Sequence, residues 1–170
     1  MNRNIIFIGM MGCGKTTISL ELSKVLPEYK YVDIDNEIEK STQKKISEIF
    51  LRHGESFFRM LETEKIRQFC KNKTNQIISA GGGAFENQEN RENMSDSGTV
   101  IYLKASAQEI YNRIKNETHR PLLRKDFSVE KINEIMQKRE KNYKLADITI
   151  DTTGKTPQNI VEEILGVINV

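Results

Sequence analysis

A chain of 170 residues, 29% of them charged with a net charge of +2, holds enough polypeptide for one core and too little for two, so a single domain over 1–170 is expected. The charge balance calls for neither nucleic acid nor an anionic membrane surface, and no apolar stretch reaches the length of a membrane span. Cys13 and Cys70 are the only cysteines; they make no disulfide framework and fit a reducing, cytoplasmic setting.

The first predicted element is a strand over Asn4–Ile8, too short an apolar run for a signal peptide. It leads into Gly9-Met10-Met11-Gly12-Cys13-Gly14-Lys15-Thr16. This is the G-x-x-x-x-G-K-[ST] phosphate loop, set between a buried strand and a helix as its physics requires. The glycines let successive N–H groups turn toward phosphate oxygens, and the helix that follows directs its positive end at the same anion. Lys15 reaches the β- and γ-phosphates, and the Thr16 hydroxyl is an Mg²⁺ ligand. The chain therefore binds a nucleoside triphosphate. The next predicted helix, over 15–26, carries Ile18, Leu22, Val25 and Leu26 on one face.

A second strand, Tyr31–Asp33, ends in Asp33-Ile34-Asp35. Residues two apart on a strand share a face, so both carboxylates are expected to project from the strand end into one site. Beside a magnesium nucleotide, one would serve the metal's outer shell and the other would orient or deprotonate an acceptor hydroxyl. The same residues also fit a turn in which Asp35 caps a following helix.

Helical spacing then runs from Ile46 to about Lys71, interrupted near Gly54, with Arg59 after Phe57-Phe58 and Glu62 one turn on to steer it. Asn72-Lys73-Thr74-Asn75 resembles the guanine-reading N-K-x-D but lacks its aspartate. After the strand Gln76–Ser79 comes Ala80-Gly81-Gly82-Gly83, where glycines admit a ligand close to the backbone. Many P-loop ATPases place a metal-binding acid there and this chain has none, so both absences argue against a GTPase switch.

A strand over Thr99–Leu103 and a helix from Ala107 to Lys115 precede Glu117-Thr118-His119-Arg120-Pro121-Leu122-Leu123-Arg124. This polar stretch, about 116–127, reads as a lid carrying positive charge over the γ-phosphate and excluding water. In the helix from Val129 to Lys141, Arg139 follows Ile132, Ile135 and Met136 at helical spacing and so lies on or beside their apolar face. A guanidinium there needs an anionic partner. With Arg59 it suits bidentate capture of a carboxylate, although structural ion pairs would account for either arginine. A strand over Asp147–Ile150 and a helix from Pro157 to Ile168, buried through Ile160, Val161, Ile164, Leu165 and Ile168, complete the chain. Strands alternating with helices indicate a parallel α/β sheet covered on both faces, with ligands outside the strands' carboxyl ends.

The ordered set Gly9-x-x-Gly12-x-Gly14-Lys15-Thr16, Asp33-x-Asp35, Gly54-Glu55-x-x-Phe58-Arg59-x-x-Glu62, Gly81-Gly82-Gly83, Arg120-Pro121-Leu122 and Arg139-x-x-x-Tyr143-x-x-x-Ala146-Asp147 resembles the shikimate kinases, of the nucleoside monophosphate kinase-like P-loop group. The match spans nearly the whole chain. It implies a three-layer sandwich of the P-loop NTPase fold with a five-stranded parallel sheet in the order 2-3-1-4-5, a substrate-binding region about 33–62 and a lid about 116–127. It implies transfer of the ATP γ-phosphate to the 3-hydroxyl of shikimate, in the pathway to aromatic amino acids, by a cytoplasmic monomer using Mg²⁺.

By the same resemblance Arg59 and Arg139 hold the substrate carboxylate, Asp35 binds ring hydroxyls and acts as base or orienter, and Gly81, Gly82 and Gly83 hold the ring. Thr16 ligates the metal and Asp33 reaches it through water. Lys15 and Arg120 stabilise the transferring phosphoryl group. Gly12, Cys13, Gly14, Lys15, Thr16 and Thr17 bind the phosphates, with Arg113, Arg120 and Lys155 completing the ATP site and Pro157 near the adenine. Two departures stand out: Gly154-Lys155 replaces a more arginine-rich stretch, and Phe85 is bulky for its place after the glycines. The alternatives are a related kinase for gluconate or a nucleoside monophosphate, or a catalytically inactive nucleotide-binding regulator. The presence of Lys15, Asp33, Asp35, Arg59, Arg120 and Arg139 weighs against the last.

Overall fold

A computed structural model describes residues 3–71, 74–115 and 128–168. In chain order the elements are β1 (Asn4–Ile8), α1 (Lys15–Val25), β2 (Lys30–Asp33), α2 (Ile34–Thr42), α3 (Ile46–Cys70), β3 (Gln76–Ser79), a 3₁₀ turn (Ala84–Glu86), α4 (Gln88–Ser97), β4 (Gly98–Lys104), α5 (Ala107–Ile114), α6 (Val129–Tyr143), β5 (Ile148–Asp151) and α7 (Pro157–Val167). The five strands form one parallel sheet in the order β2-β3-β1-β4-β5, the order the family resemblance implies.

β1 lies at the centre and is buried along its whole length, which is why it reads as an unbroken apolar run. Its residues alternate between two core layers. Ile5 and Phe7 join Ile18 and Leu22 of α1, Ile110 of α5 and Ile164 of α7. Ile6 and Ile8 join Ile38 of α2, Phe58 and Ile66 of α3 and Met94 of α4. The α6 helix contributes to both, through Ile132 and Tyr143.

Register brings three strand ends to one edge. Asp33 pairs with Ser79 across β2–β3, and Ser79 with Phe7 across β3–β1. The phosphate loop, the Asp33–Asp35 segment and the 80–83 glycines therefore leave the sheet side by side.

Several elements differ from the sequence expectation. The α2 and α4 helices are not legible from periodicity: α2 buries only Ile34 and Ile38, and α4 only Asn90 and Met94. Caps hold them instead. The Asn87 side chain accepts the Asn90 N–H of α4, and the Asn90 amide donates to Ala84 O at 2.9 Å. The α3 helix does break at Gly54, with φ 79 and ψ 174. Val25, expected on the buried face of α1, is 52% exposed because the helix ends there, and Leu165 of α7 is 36% exposed. Asp147 stands just outside β5, where its carboxylate accepts the Val100 N–H of β4 at 2.8 Å. Phe85 is accommodated in the core, 1% exposed in the layer with α2–α4.

Candidate active site

The loop from Gly9 to Thr16 wraps the start of α1. At Gly12 the φ is +77° and a Cβ would stand 2.7 Å from the Ile114 side chain, so only glycine lets the loop lie this close to α5. Lys15 bends back across the loop, with Nζ donating to Gly9 O at 2.8 Å and Met10 O at 3.0 Å. The Cys13 N–H is turned into the loop, donating to Met10 O at 3.2 Å. Cys13 itself is buried against the core. Gly12, Gly14, Lys15, Thr16 and Thr17 line a cavity of about 410 Å³ together with Asp33, Asp35, Gly81, Gly82 and Arg113.

The two aspartates reach this cavity by a route other than the one strand alternation predicts. Asp33 ends β2 and caps α2, its Oδ1 accepting the Asn36 N–H at 3.0 Å. Asp35, expected on the strand face, sits in the first turn of α2. A helix turn, not a strand pleat, brings the pair together, and Asp33 rather than Asp35 is the cap. The other Asp33 oxygen accepts from Tyr31 Oη at 3.1 Å and lies 3.5 Å from Thr16 Oγ1.

The glycine loop borders a second cavity, of about 610 Å³, lined by Arg59, Glu62, Gly83 and Arg139 among others. A Cβ on Gly83 would stand 2.6 Å from the Arg59 guanidinium, and one on Gly81 would overlap Glu62 Oε1. The loop is bare because α3 side chains press against it. Arg59 pairs with Glu62 at 2.7 Å and Glu55 at 3.1 Å and lies 5.1 Å from the Phe58 ring centre. Burial pulls its basicity down, but Glu62 and Glu55 outweigh burial and hold it firmly protonated. Arg139 donates to Gly82 O at 3.0 Å and touches Met10 Sδ at 3.7 Å. Tyr143, one turn along α6, donates to the same carbonyl.

Glu62 is fully buried. One oxygen takes the Arg59 bond, while among the described residues Oε1 has no hydrogen-bond partner. Burial pushes its carboxyl up to about 7 and the charge of Asp35 adds to this, against the pull of Arg59 and Arg139. With a folded value above the usual 4.5, the folded state binds the extra proton, so this contribution to stability is present below the unfolded value and is lost as pH rises through about 7. Glu62→Gln, which cannot ionise, is expected to flatten that decline. Thermal melts of both proteins between pH 5 and 8 check it: the wild-type minus Glu62→Gln difference in Tm should fall with pH, and a flat difference overturns the assignment.

On the opposite side, Arg113 donates to Gly12 O at 3.3 Å and Thr152 O at 3.4 Å and pairs with Glu109, whose second oxygen accepts the Gly154 N–H at 3.1 Å. Lys155 does not line the phosphate-loop cavity; it pairs with Glu163 of α7 at 2.6 Å. Tyr31 and Glu109 are not marked out by any motif, although each sits at readable spacing, i−2 from Asp33 on a strand and i−4 from Arg113 on a helix. Arg120 and the rest of segment 116–127, His119 included, lie outside the described residues, as do Asn72 and Lys73.

Comparison with known proteins places relatives beside this geometry. The shikimate kinase family pattern matches residues 11–169. The shikimate kinase of Persephonella marina is 45% identical over 164 residues, 96% of this chain and 98% of the relative. That of Thermodesulfovibrio yellowstonii is 42% identical, covering 96% and 93%. Among solved structures, the shikimate kinase of Acinetobacter baumannii in complex with shikimate superposes with a TM-score of 0.93 at 30% identity, covering 98% of this chain and 93% of that one. The Aquifex aeolicus shikimate kinase gives a TM-score of 0.79 at 33% identity, covering 95% and 93%.

Proposed function

This chain belongs to the shikimate kinase family, and from that premise we propose how its residues divide the transfer of the ATP γ-phosphate to the 3-hydroxyl of shikimate, giving shikimate 3-phosphate and ADP. The observation that carries the division is the adjacency of two unlike cavities at one glycine loop. Phosphate-binding groups and both aspartates line one, and the two arginines line the other.

Lys15, Gly12, Cys13, Gly14, Thr16 and Thr17 hold the phosphates, and Arg113 closes the nucleotide side. Lys155 belongs to the ATP site only if its pair with Glu163 opens. Asp35 faces the acceptor hydroxyl and orients it or takes its proton. Arg59 and Arg139 grip the carboxylate, with Gly81, Gly82 and Gly83 against the ring. Lys15 stabilises charge on the transferring phosphoryl group, a task shared with Arg120 of the 116–127 lid. Residues 33–62 form the substrate-binding region of one 1–170 domain.

The donor set suits Mg²⁺. Thr16 and Asp33 supply one hydroxyl and one carboxylate at the cavity, and a small hard cation that keeps several waters and takes nucleotide phosphates needs little more from the protein. Thr16 would hold it directly and Asp33 through water. Bound there, the ion neutralises charge on the phosphates during transfer.

Two free cysteines support the cytoplasm as the compartment, and among the described residues no helix is long and apolar enough to cross a membrane.

A coupled assay of ADP release with shikimate, gluconate, AMP or no acceptor tests the reading. ADP release is expected to require shikimate. Equal turnover with and without it, or faster turnover with gluconate or AMP, overturns the assignment.

A further inference from the structure

Tyr31 and Asp33 stand two apart on β2 and so share a face of the strand. The Tyr31 ring packs against the core layer that contains α1, which leaves its hydroxyl at the strand end, 3.1 Å from Asp33 Oδ2. Three donors converge on this carboxylate: Tyr31 Oη and Thr16 Oγ1 on Oδ2, the latter at 3.5 Å, and the Asn36 N–H on Oδ1 at 3.0 Å. A carboxylate offers about four lone-pair sites. Among the described residues one remains without a donor, on Oδ1, the oxygen already fixed by the helix cap.

We propose that Tyr31 is a positioning residue of the metal–nucleotide site, its phenol holding Asp33 so that the carboxylate accepts one hydrogen bond from the Thr16 hydroxyl and one from a cation's water. This rests on the reading of Thr16 and Asp33 as the magnesium side of the site.

The physical reason is directional. A threonine hydroxyl that gives a lone pair to a cation must point its own proton at an acceptor, and the charged acceptor within reach is Asp33 Oδ2, beside the Tyr31 hydroxyl. The Asn36 bond alone fixes one oxygen and lets the carboxylate plane turn about it. The phenol fixes the second oxygen, and two anchors set the plane. Groups that orient the ligands and waters of a metal shift its affinity by about 10- to 100-fold when removed.

ADP binding measured by calorimetry, with Mg²⁺ and with a chelator in its place, tests the proposal on the wild type, Tyr31→Phe, Asp33→Asn and the double variant. Tyr31→Phe keeps the packed ring and removes one oxygen. It is expected to bind ADP as the wild type does in chelator and to lose roughly tenfold of the affinity gained on adding Mg²⁺, the low end for such groups. The double variant should lose no more than Asp33→Asn alone, because Tyr31 acts through Asp33. An intact magnesium gain in Tyr31→Phe, with that gain lost in Asp33→Asn, overturns the role of Tyr31. Equal weakening of ADP with and without Mg²⁺ overturns it too, as a purely structural effect. An intact gain in Asp33→Asn instead overturns the underlying reading of Asp33, and the role of Tyr31 with it.

Discussion

Asp35→Asn is expected to lower kcat on the order of 10²-fold or more, the range for a lost general base or orienter, while ATP affinity changes less than about threefold, well under 1 kcal/mol. The substitution keeps the size of the side chain and removes only the charge and one acceptor. Asp35 lines the cavity with Lys15 and Gly81, in the first turn of α2 and apart from the Asp33–Thr16 contact that suits the metal. On the proposed reading its charge bears on the acceptor hydroxyl rather than on the nucleotide. Phosphoryl transfer passes through a loose transition state in most analyses, so much of Asp35's effect can come from orienting the hydroxyl, which asparagine reproduces in part. A drop near the lower end of the range favours orientation, and a larger one favours proton abstraction. Calorimetric ATP binding is the control: a loss of affinity as large as the loss of kcat would move Asp35 to the metal. The same substitution removes one of the influences that raise Glu62, so the pH dependence of stability should weaken in Asp35→Asn as well.

What the sequence discloses here follows the range of the interactions involved. The phosphate loop is readable because its conformation is local: glycines, lysine and threonine within eight positions, after an apolar strand buried on both faces. Arg59 and Arg139 stand out as charges beside apolar helix positions, and the structure brings both to the glycine loop. Helices held by caps and long-range pairs are harder to see. The α4 helix, in Gln88–Ser97, buries two residues and is tied to α3 by the Arg67–Glu89 pair, 22 positions apart. The aspartate pair is the instructive case. Its proximity was readable but its cause was not, because a strand that ends at Asp33 and a strand that continues through Asp35 have the same local sequence. The α2 helix, with one buried i, i+4 pair in Ile34 and Ile38, gives too faint a period to decide between them. The bonds from Tyr143 and Arg139 to Gly82 O join residues about sixty positions apart, and spacing along the chain carries no trace of them.

The two arginines are not equivalent, and the difference sets the expected size of the last effect. Arg59 already faces two carboxylates, at 2.7 and 3.1 Å, so much of its charge is matched within the fold. Arg139, among the described residues, meets the Gly82 carbonyl and the Met10 thioether but has no ion pair. On the proposed reading its charge is the one left, among the described residues, for an incoming carboxylate, while Arg59 supplies geometry. Truncating one partner of a buried, hydrogen-bonded charge pair costs about 2–5 kcal/mol. Arg139→Ala is therefore expected to lower kcat/KM for shikimate by roughly thirty- to several-thousand-fold, and by more than Arg59→Ala does. Arg139 also anchors the glycine loop, so a fall in activity alone would not separate binding from support. Two measurements do. ADP affinity should stay within about twofold of wild type, since the phosphate loop is built from other residues. Arg139→Lys should recover only part of the loss, because an ammonium keeps the charge without the planar fork that meets a carboxylate with two parallel bonds. Unchanged shikimate kinetics in Arg139→Ala would remove the residue from the substrate site, and an equal loss of ADP affinity would make it a support of the loop.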